Sequence, residues 1–287
     1  MTLHQLLNEG VVLLGRAGDP EASQDARRLL LEAFGLDTVH FLMRRMEVLE
    51  DTEAVKRASE DYRRMIGKRC RRIPIQHILG TQDFMGLTFQ VNRHVLIPRQ
   101  DTETLVELIL EEQKDRTKRV LDLCTGSGCI AVSLAALGGY EDVTAADLSE
   151  EALKTAGANA ARILGEGRIR LRQGDLFEAL EPGDAYDILA SNPPYIPTEV
   201  IKGLEPEVRD HEPLLALDGA GDGLEFYRRI ASQARLWLRP KAAVYLEIGH
   251  DQAGAVCALL REAGFGGVRV IKDLPGKDRV VRGELSD

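Results

Sequence analysis

A chain of 287 residues with 44% hydrophobic and 29% charged side chains has the make-up of an ordinary globular protein of about two domains. No apolar run approaches the ~20 residues of a membrane helix, the N-terminus lacks the basic and apolar regions of a signal peptide, and a net charge of −9 argues against broad affinity for nucleic acid. Four cysteines (Cys70, Cys124, Cys129, Cys257) without Cys-x-x-Cys spacing point to neither zinc nor a disulfide framework, so no metal is expected and a reducing cytoplasm fits.

Residues 1–72 read as helices. Asp19-Pro20 pairs an N-cap with a proline at the first helical position and opens an amphipathic run through Leu29, Leu30, Ala33 and Phe34, which Gly35 ends. Asp37 caps a short helix holding Val39, Phe41, Leu42 and Met46. A longer charged helix runs from about Thr52 to Lys68, with Val55, Ala58, Tyr62, Met65 and Ile66 at helical spacing. This part is nearly neutral, with 13 Lys/Arg against 12 Asp/Glu, whereas the remainder carries 24 against 34. Its basic cluster, Arg63, Arg64, Lys68, Arg69, Arg71 and Arg72, suits an acidic partner in principle, but a solvated helix face is the plainer reading.

From residue 73 to 98 the pattern changes. Phe84 through Val91 alternates apolar residues around a Gly-bearing turn, which predicts a β-hairpin connector. From about residue 99 to 287, short apolar strands alternate with helices. The strand candidates are Val120–Cys124, Val143–Ala146, Ile169–Arg172, Ile188–Ser191, Ala243–Ile248, Val268–Ile271 and Val280–Arg282. Such alternation implies a mainly parallel, doubly wound α/β sheet.

Two stretches carry chemistry. Val120 through Gly128 is a first strand running into a Gly loop, followed by the helix Ile130–Ala136. Gly126 and Gly128 let a ligand approach the backbone, and the helix N-terminus offers N–H groups. Asp147 ends the second strand, 19 residues beyond Gly128, a placement suited to gripping ribose hydroxyls. A dinucleotide would fit that layout too. Asp122, a carboxylate inside the strand, shifts the reading towards a cationic sulfonium ligand, S-adenosylmethionine. Asp175 can accept from an adenine amino group while Leu176 packs on the base. The alternative is a loop-capping carboxylate for Asp122 and a plain turn residue for Asp175.

The second stretch is Asn192-Pro193-Pro194-Tyr195, at the C-terminal end of a strand, where open α/β sheets place their sites. Two prolines fix φ and remove two N–H donors. What is left is a stiff turn of acceptors beside an aromatic ring. A planar NH2 group on an amide or nucleobase suits it; a simple proline-rich turn is the competing interpretation.

With both stretches on one sheet, the sequence resembles class I methyltransferases that modify planar nitrogens. Leu96-Ile97-Pro98-Arg99-Gln100-Asp101-Thr102-Glu103 is similar to the Ile-Pro-Arg-x-x-Thr-Glu segment of the HemK/PrmC family, the release factor glutamine methyltransferases. Further similar stretches are His211-Glu212-Pro213 with Ala216-Leu217, Gly221 through Leu224, Leu246 through Gln252, and Lys277 through Val280. They run from about residue 60 to the C-terminus; the helical first part matches in size and character.

The resemblance implies a Rossmann-like, seven-stranded, mostly parallel sheet with a small N-terminal helical bundle that contacts the substrate. It implies methyl transfer from S-adenosylmethionine, leaving S-adenosylhomocysteine, to the glutamine amide of the Gly-Gly-Gln motif in class I peptide chain release factors. Residues Cys124, Thr125, Gly126, Ser127, Gly128, Asp147, Asp175, Leu176 and Asn192 would hold the cofactor. Asn192, Pro193, Pro194 and Tyr195 would hold the glutamine, with Phe84 lining the pocket from the hairpin. Asn192, Pro193 and Tyr195 would be catalytic. No membrane and no sequence-specific nucleic acid are expected as partners.

Three positions depart from the family pattern: Cys124 replaces the first glycine of Gly-x-Gly-x-Gly, Gln100 follows Arg99, and His77 stands where tyrosine is common. A thiol at a helix N-terminus can be acidic, though a buried small residue is the simpler reading of Cys124. Rival readings are a methyltransferase for adenine or guanine amino groups, one for another protein such as a ribosomal protein, a nicotinamide-dependent oxidoreductase, and a binding module without turnover.

Overall fold

The computed structural model describes residues 1–286, which divide into two compact units. The first comprises Met1–Gly80 together with Pro206–His211; the second comprises Thr81–Glu205 and Glu212 onward.

In the helical unit, α1 (Leu3–Arg16), α2 (Ala22–Phe34), α3 (Thr38–Arg44), α4 (Glu53–Arg69) and α5 (Ile75–Leu79) bury Leu6, Leu14, Leu29 and Leu30 completely. Thr52 and Asp37 cap α4 and α3 through Val55 and His40 N–H groups, and Gly35 ends α2 at φ +60°. The helix expected to open at Asp19-Pro20 starts at Ala22; the Asp19 carboxylate still accepts from Glu21 N at 3.1 Å and is also buried against Arg69 at 2.8 Å. Arg69 also meets Asp25 and Glu207, each at 2.6 Å, and Arg72 shares Glu207. The basic cluster is therefore not all a solvated face. Its Arg69 is 6% exposed and is neutralised by carboxylates from three separate segments.

In the sheet unit, β1 (Thr81–Phe84) and β2 (Leu87–Gln90) form the hairpin. Its two-residue turn holds Met85 at φ +52° and Gly86 at φ +73°, the primed geometry that matches strand twist. Helix α6 (Gln100–Glu112) leads to β3 (Val120–Leu123), α7 (Cys129–Gly138), β4 (Val143–Asp147), α8 (Glu150–Leu164), β5 (Arg170–Gln173) and β6 (Tyr186–Ser191). After β6 come the one-turn helix α9 (Thr198–Ile201) and, in the helical unit, α10 (Pro206–Arg209). The chain ends with α11 (Glu225–Ala234), β7 (Leu238–Glu247), α12 (Ala253–Glu262), β8 (Phe265–Lys272) and β9 (Asp278–Leu285).

The seven strands lie in the order β5-β4-β3-β6-β7-β9-β8, all parallel except β9, which runs antiparallel to both neighbours. All seven sequence-derived strands are present, and the sheet is mostly parallel as expected. Alternation along the strands divides the core between the faces. Leu121, Leu123, Leu189, Val244 and Leu246 cluster with α11 and α12 residues such as Ile230 and Val256. Val120, Ile188, Ala243 and Tyr245 cluster with α6 and α7 residues such as Ile109 and Leu134. The strand order reverses between β3 and β6, the crevice where such sheets bind ligands. There Leu123 pairs with Ser191, so the Gly loop and Asn192 leave the sheet side by side.

Candidate active site

At this switch point lies a cleft of about 960 Å³, its open mouth included. Its floor is the loop after β3. Cys124 takes φ +59°, Gly126 φ +55° and Gly128 φ +80°. A Cβ on Gly128 would meet Ala156 Cβ at 3.1 Å, so this glycine allows α7 and α8 to approach, whereas a Cβ on Gly126 would enter open space. Gly128 thus acts in packing behind the wall. Cys124, Thr125, Gly126 and Ser127 stand on it.

Two carboxylates hold this loop. Asp122 is fully buried, and its Oδ2 accepts from Thr125 Oγ1 at 2.6 Å and from Ala131 N at 3.2 Å. Burial pushes its carboxyl up to about 7 against those two hydrogen bonds. Asp147 accepts from Gly126 N at 2.8 Å and from Ser149 N at 2.9 Å. It closes the loop from the end of β4 and still lines the cleft. Burial pushes the Cys124 thiol well up, so the geometry favours the small-residue reading over an acidic nucleophile.

The far wall carries Leu148, Leu176 and Phe226 beside Asp175. Asp175 is not free: its carboxylate pairs with Arg229 at 2.8 Å. The hairpin is pinned to the Gly loop by Asn159, whose Nδ2 donates to Ser127 O at 2.9 Å and Gln90 O at 3.0 Å.

On the near wall stand Asn192 and Pro194. Asn192 Nδ2 donates to Thr102 Oγ1 at 3.3 Å. Among the described residues, no main-chain N–H donates to the carbonyls of Asn192 or Pro193. Pro193 is buried and is not on the cleft wall. Tyr195 is half-buried against the core of the β7–α11 face, and its phenol is pushed up to about 12 by burial. Phe84 does not line the cleft: it is 1% exposed, edge-on to Phe89 at 6.0 Å, inside the core beneath α6 and α7. Its alternating position was apolar because the hairpin needs an inner face.

The structure adds residues that motif reading left without roles. Arg99 lies on the cleft wall and pairs with buried Glu212 at 2.6 Å. Asp101 pairs with Arg279 at 2.9 Å, and Glu103 accepts from the hairpin's Met85 N at 2.6 Å. Gln252 donates to Tyr195 O at 2.9 Å and Gly223 O at 3.2 Å. A Cβ on Gly223 would meet Tyr195 O at 2.3 Å. Three of the segments resembling the family, through Thr102, Gly223 and Gln252, thus touch the Asn-Pro-Pro-Tyr turn.

Comparison with known proteins decides the class. The PrmC N-terminal domain family model matches residues 5–80, and the Methyltransferase small domain model matches residues 100–202. A release factor glutamine methyltransferase of Clostridium acetobutylicum is 36% identical, with 98% of each chain covered. One of Caulobacter vibrioides is 41% identical, covering 93% of this chain and 91% of its own. The chain belongs to the release factor glutamine methyltransferase family.

Among solved structures, a methyltransferase from Pyrococcus furiosus shares 17% identity at a TM-score of 0.54, covering 77% of this chain and 99% of its own. The hMettl16 catalytic domain in complex with MAT2A 3'UTR hairpin 6 shares 20% at 0.55, covering 77% and 81%. Both likenesses carry the fold alone. For a family member of this class the donor is S-adenosylmethionine, and the cleft fits it. Open space before Gly126 admits a ligand to the backbone, the acid Asp147 suits ligand hydroxyls, and Leu148, Leu176 and Phe226 suit a flat base.

Proposed function

We propose that this protein methylates the side-chain amide nitrogen of the glutamine in the Gly-Gly-Gln motif of class I peptide chain release factors, in the cytoplasm, and so modulates translation termination. The observation that carries this reading is the Asn192 side-chain oxygen, which has no protein partner among the described residues, beside the Gly loop on the adjacent strand.

An amide nitrogen is a poor nucleophile because its lone pair is delocalised into the carbonyl. Asn192 Oδ1 accepts one amide hydrogen, which orients the nitrogen and stabilises positive charge developing on it; the Pro193 carbonyl, expected to take the other, belongs to a residue off the cleft wall. The bound sulfonium supplies a methyl group already activated for transfer. Asp147 and the loop 124–127 hold the donor, with Asp175 and Leu176 at the base. Pro194 closes the near wall, and Tyr195 anchors the turn through its half-buried ring and its carbonyl. Holding both partners in register accounts for much of the acceleration.

A protein substrate also needs a docking surface. The α3 region offers one, with Val39, Met43, Met46 and Val48 exposed by 63%, 75%, 68% and 76%. The acidic balance of the sheet unit disfavours nucleic acid as the acceptor. Incubation with labelled S-adenosylmethionine and a release factor, followed by mass spectrometric mapping, tests the assignment. Label is expected on the Gly-Gly-Gln glutamine and lost when that glutamine is changed to alanine; label elsewhere, or none, overturns it.

A further inference from the structure

The methyl donor ends in a free amino acid, and a carboxylate drawn into a cleft needs hydrogen-bond donors to replace its water. We propose that Arg99, held in place by Glu212, receives this carboxylate. The inference concerns the donor alone and stands whichever protein accepts the methyl group.

Charge narrows the choice of residue. Among the described residues, Arg99 is the only arginine or lysine on the cleft wall. His94 lies there too, but its Nε2 accepts from Arg93 Nε at 3.3 Å, so that ring is neutral. Asp147 lines the same cleft and repels an anion.

Position narrows it further. A donor with its base against Leu148, Leu176 and Phe226 and its methyl group towards Asn192 has its methionine end left for the side lined by Pro98, Arg99 and Thr102. The bond from Asn192 Nδ2 to Thr102 Oγ1, at 3.3 Å, sets the first turn of α6 beside Asn192. Arg99 is the residue that opens α6, one turn before Thr102 and on the same face. A short aliphatic chain joins the sulfur to the carboxylate, and an arginine at this place is within its reach.

The pair is built to present a guanidinium. Arg99 Nη2 donates to Glu212 Oε1 at 2.6 Å, and the Glu212 side chain is 1% exposed against 40% for Arg99. The buried carboxylate thus anchors one nitrogen, and Nε and Nη1 meet no acceptor among the described residues. A guanidinium holds five N–H donors in a planar fork, so it can grip Glu212 on one edge and a second carboxylate on another. Lysine, a single ammonium, cannot do both with the same geometry.

Calorimetry with two ligands tests the contact: S-adenosylhomocysteine and its decarboxylated counterpart, which lacks only the carboxylate. Wild type is expected to bind the first at least about tenfold more tightly. Arg99→Met should bring the two affinities within about threefold of each other by weakening S-adenosylhomocysteine alone, and Arg99→Lys should recover part of the preference. Equal weakening of both ligands would mean that Arg99 only supports the wall, and an unchanged preference that the carboxylate goes elsewhere; either result overturns the proposal.

The methionine variant strands the buried Glu212 carboxylate, so Arg99→Met/Glu212→Leu, which removes both charges, is measured beside it. It should lose the preference in the same way; a double variant that keeps it counts against the proposal equally. With a release factor as substrate, Arg99→Met should raise the KM for S-adenosylmethionine and leave that for the release factor little changed. The reverse pattern would place Arg99 against the acceptor and overturn its role towards the donor. Ligand binding involves no acceptor, so failure of the carboxylate contact and failure of the proposed reaction are read separately.

Discussion

The side-chain amide of Gln252 donates to the main-chain carbonyl of Tyr195 at 2.9 Å and accepts from Gly249 N at 3.0 Å. One side chain thus ties the Asn-Pro-Pro-Tyr turn to the segment after β7. Gln252→Ala would strand the carbonyls of Tyr195 and Gly223. The expected loss is about 2 kcal/mol of stability in urea unfolding, with a fall in kcat and an unchanged donor affinity by calorimetry. A variant with wild-type kcat would show that the turn is held without this brace.

Gly223 and Gly221 lie in the same loop but differ in consequence. At Gly223, φ is +74° and a Cβ would press on Tyr195 O; at Gly221 nothing lies within 4 Å. Gly223→Ala should lower stability by at least about 2 kcal/mol and abolish most methylation, whereas Gly221→Ala should stay within about 0.5 kcal/mol. Comparable thermal shifts in the two variants would refute the close approach.

Asp147 has two tasks, closing the Gly loop through Gly126 N and facing the cleft. Asp147→Ala should weaken S-adenosylmethionine binding at least about tenfold in calorimetry, equivalent to about 1.4 kcal/mol. Unchanged affinity would remove Asp147 from the donor site.

Asp122 should make stability depend on pH. Burial raises its carboxyl to about 7, above the ~3.9 of an unfolded chain, so the folded state holds the proton more firmly. That contribution is complete below about pH 4 and is lost as pH climbs towards 7. Between pH 5 and 8, wild type should therefore lose about 2–3 kcal/mol relative to Asp122→Asn, measured by urea unfolding. Parallel profiles for the two proteins would show that Asp122 is ionised throughout.

Arg69 pairs with one oxygen of each of buried Asp19 and Asp25, and with Glu207. Arg69→Met leaves these carboxylates without their cation and should cost about 3–5 kcal/mol in denaturant unfolding of the full chain. A loss below about 1 kcal/mol would mean that Arg72, the other partner of Glu207, compensates.

What the sequence disclosed and what it concealed follow from the range of the interactions. Central parallel strands are buried on both faces, so β3 and β6 stand out as apolar runs. The Gly loop and the Asn-Pro-Pro-Tyr turn are contiguous and legible as chemistry. The braces are not: Asn192 meets Thr102 across 90 positions, Arg99 meets Glu212 across 113, and Gln252 meets Tyr195 across 57. Single polar bonds between distant segments leave no periodicity to read. Asp19 misled for the same reason. Its local pattern is that of a helix cap, and nothing near it in the sequence shows that a distant arginine shares its carboxylate. For Phe84, alternation indicates an inward side chain without distinguishing the hydrophobic core from the cleft.

The Leu123–Ser191 rung, reinforced by the Ser191 hydroxyl on Leu123 O at 2.8 Å, sets a ruler for the reaction. Neighbouring strands sit about 4.8 Å apart, and the grip on each reactant begins one residue beyond that rung. Drift in the outer loops can alter which proteins dock, yet the gap between giver and receiver stays fixed by the hydrogen-bond ladder itself.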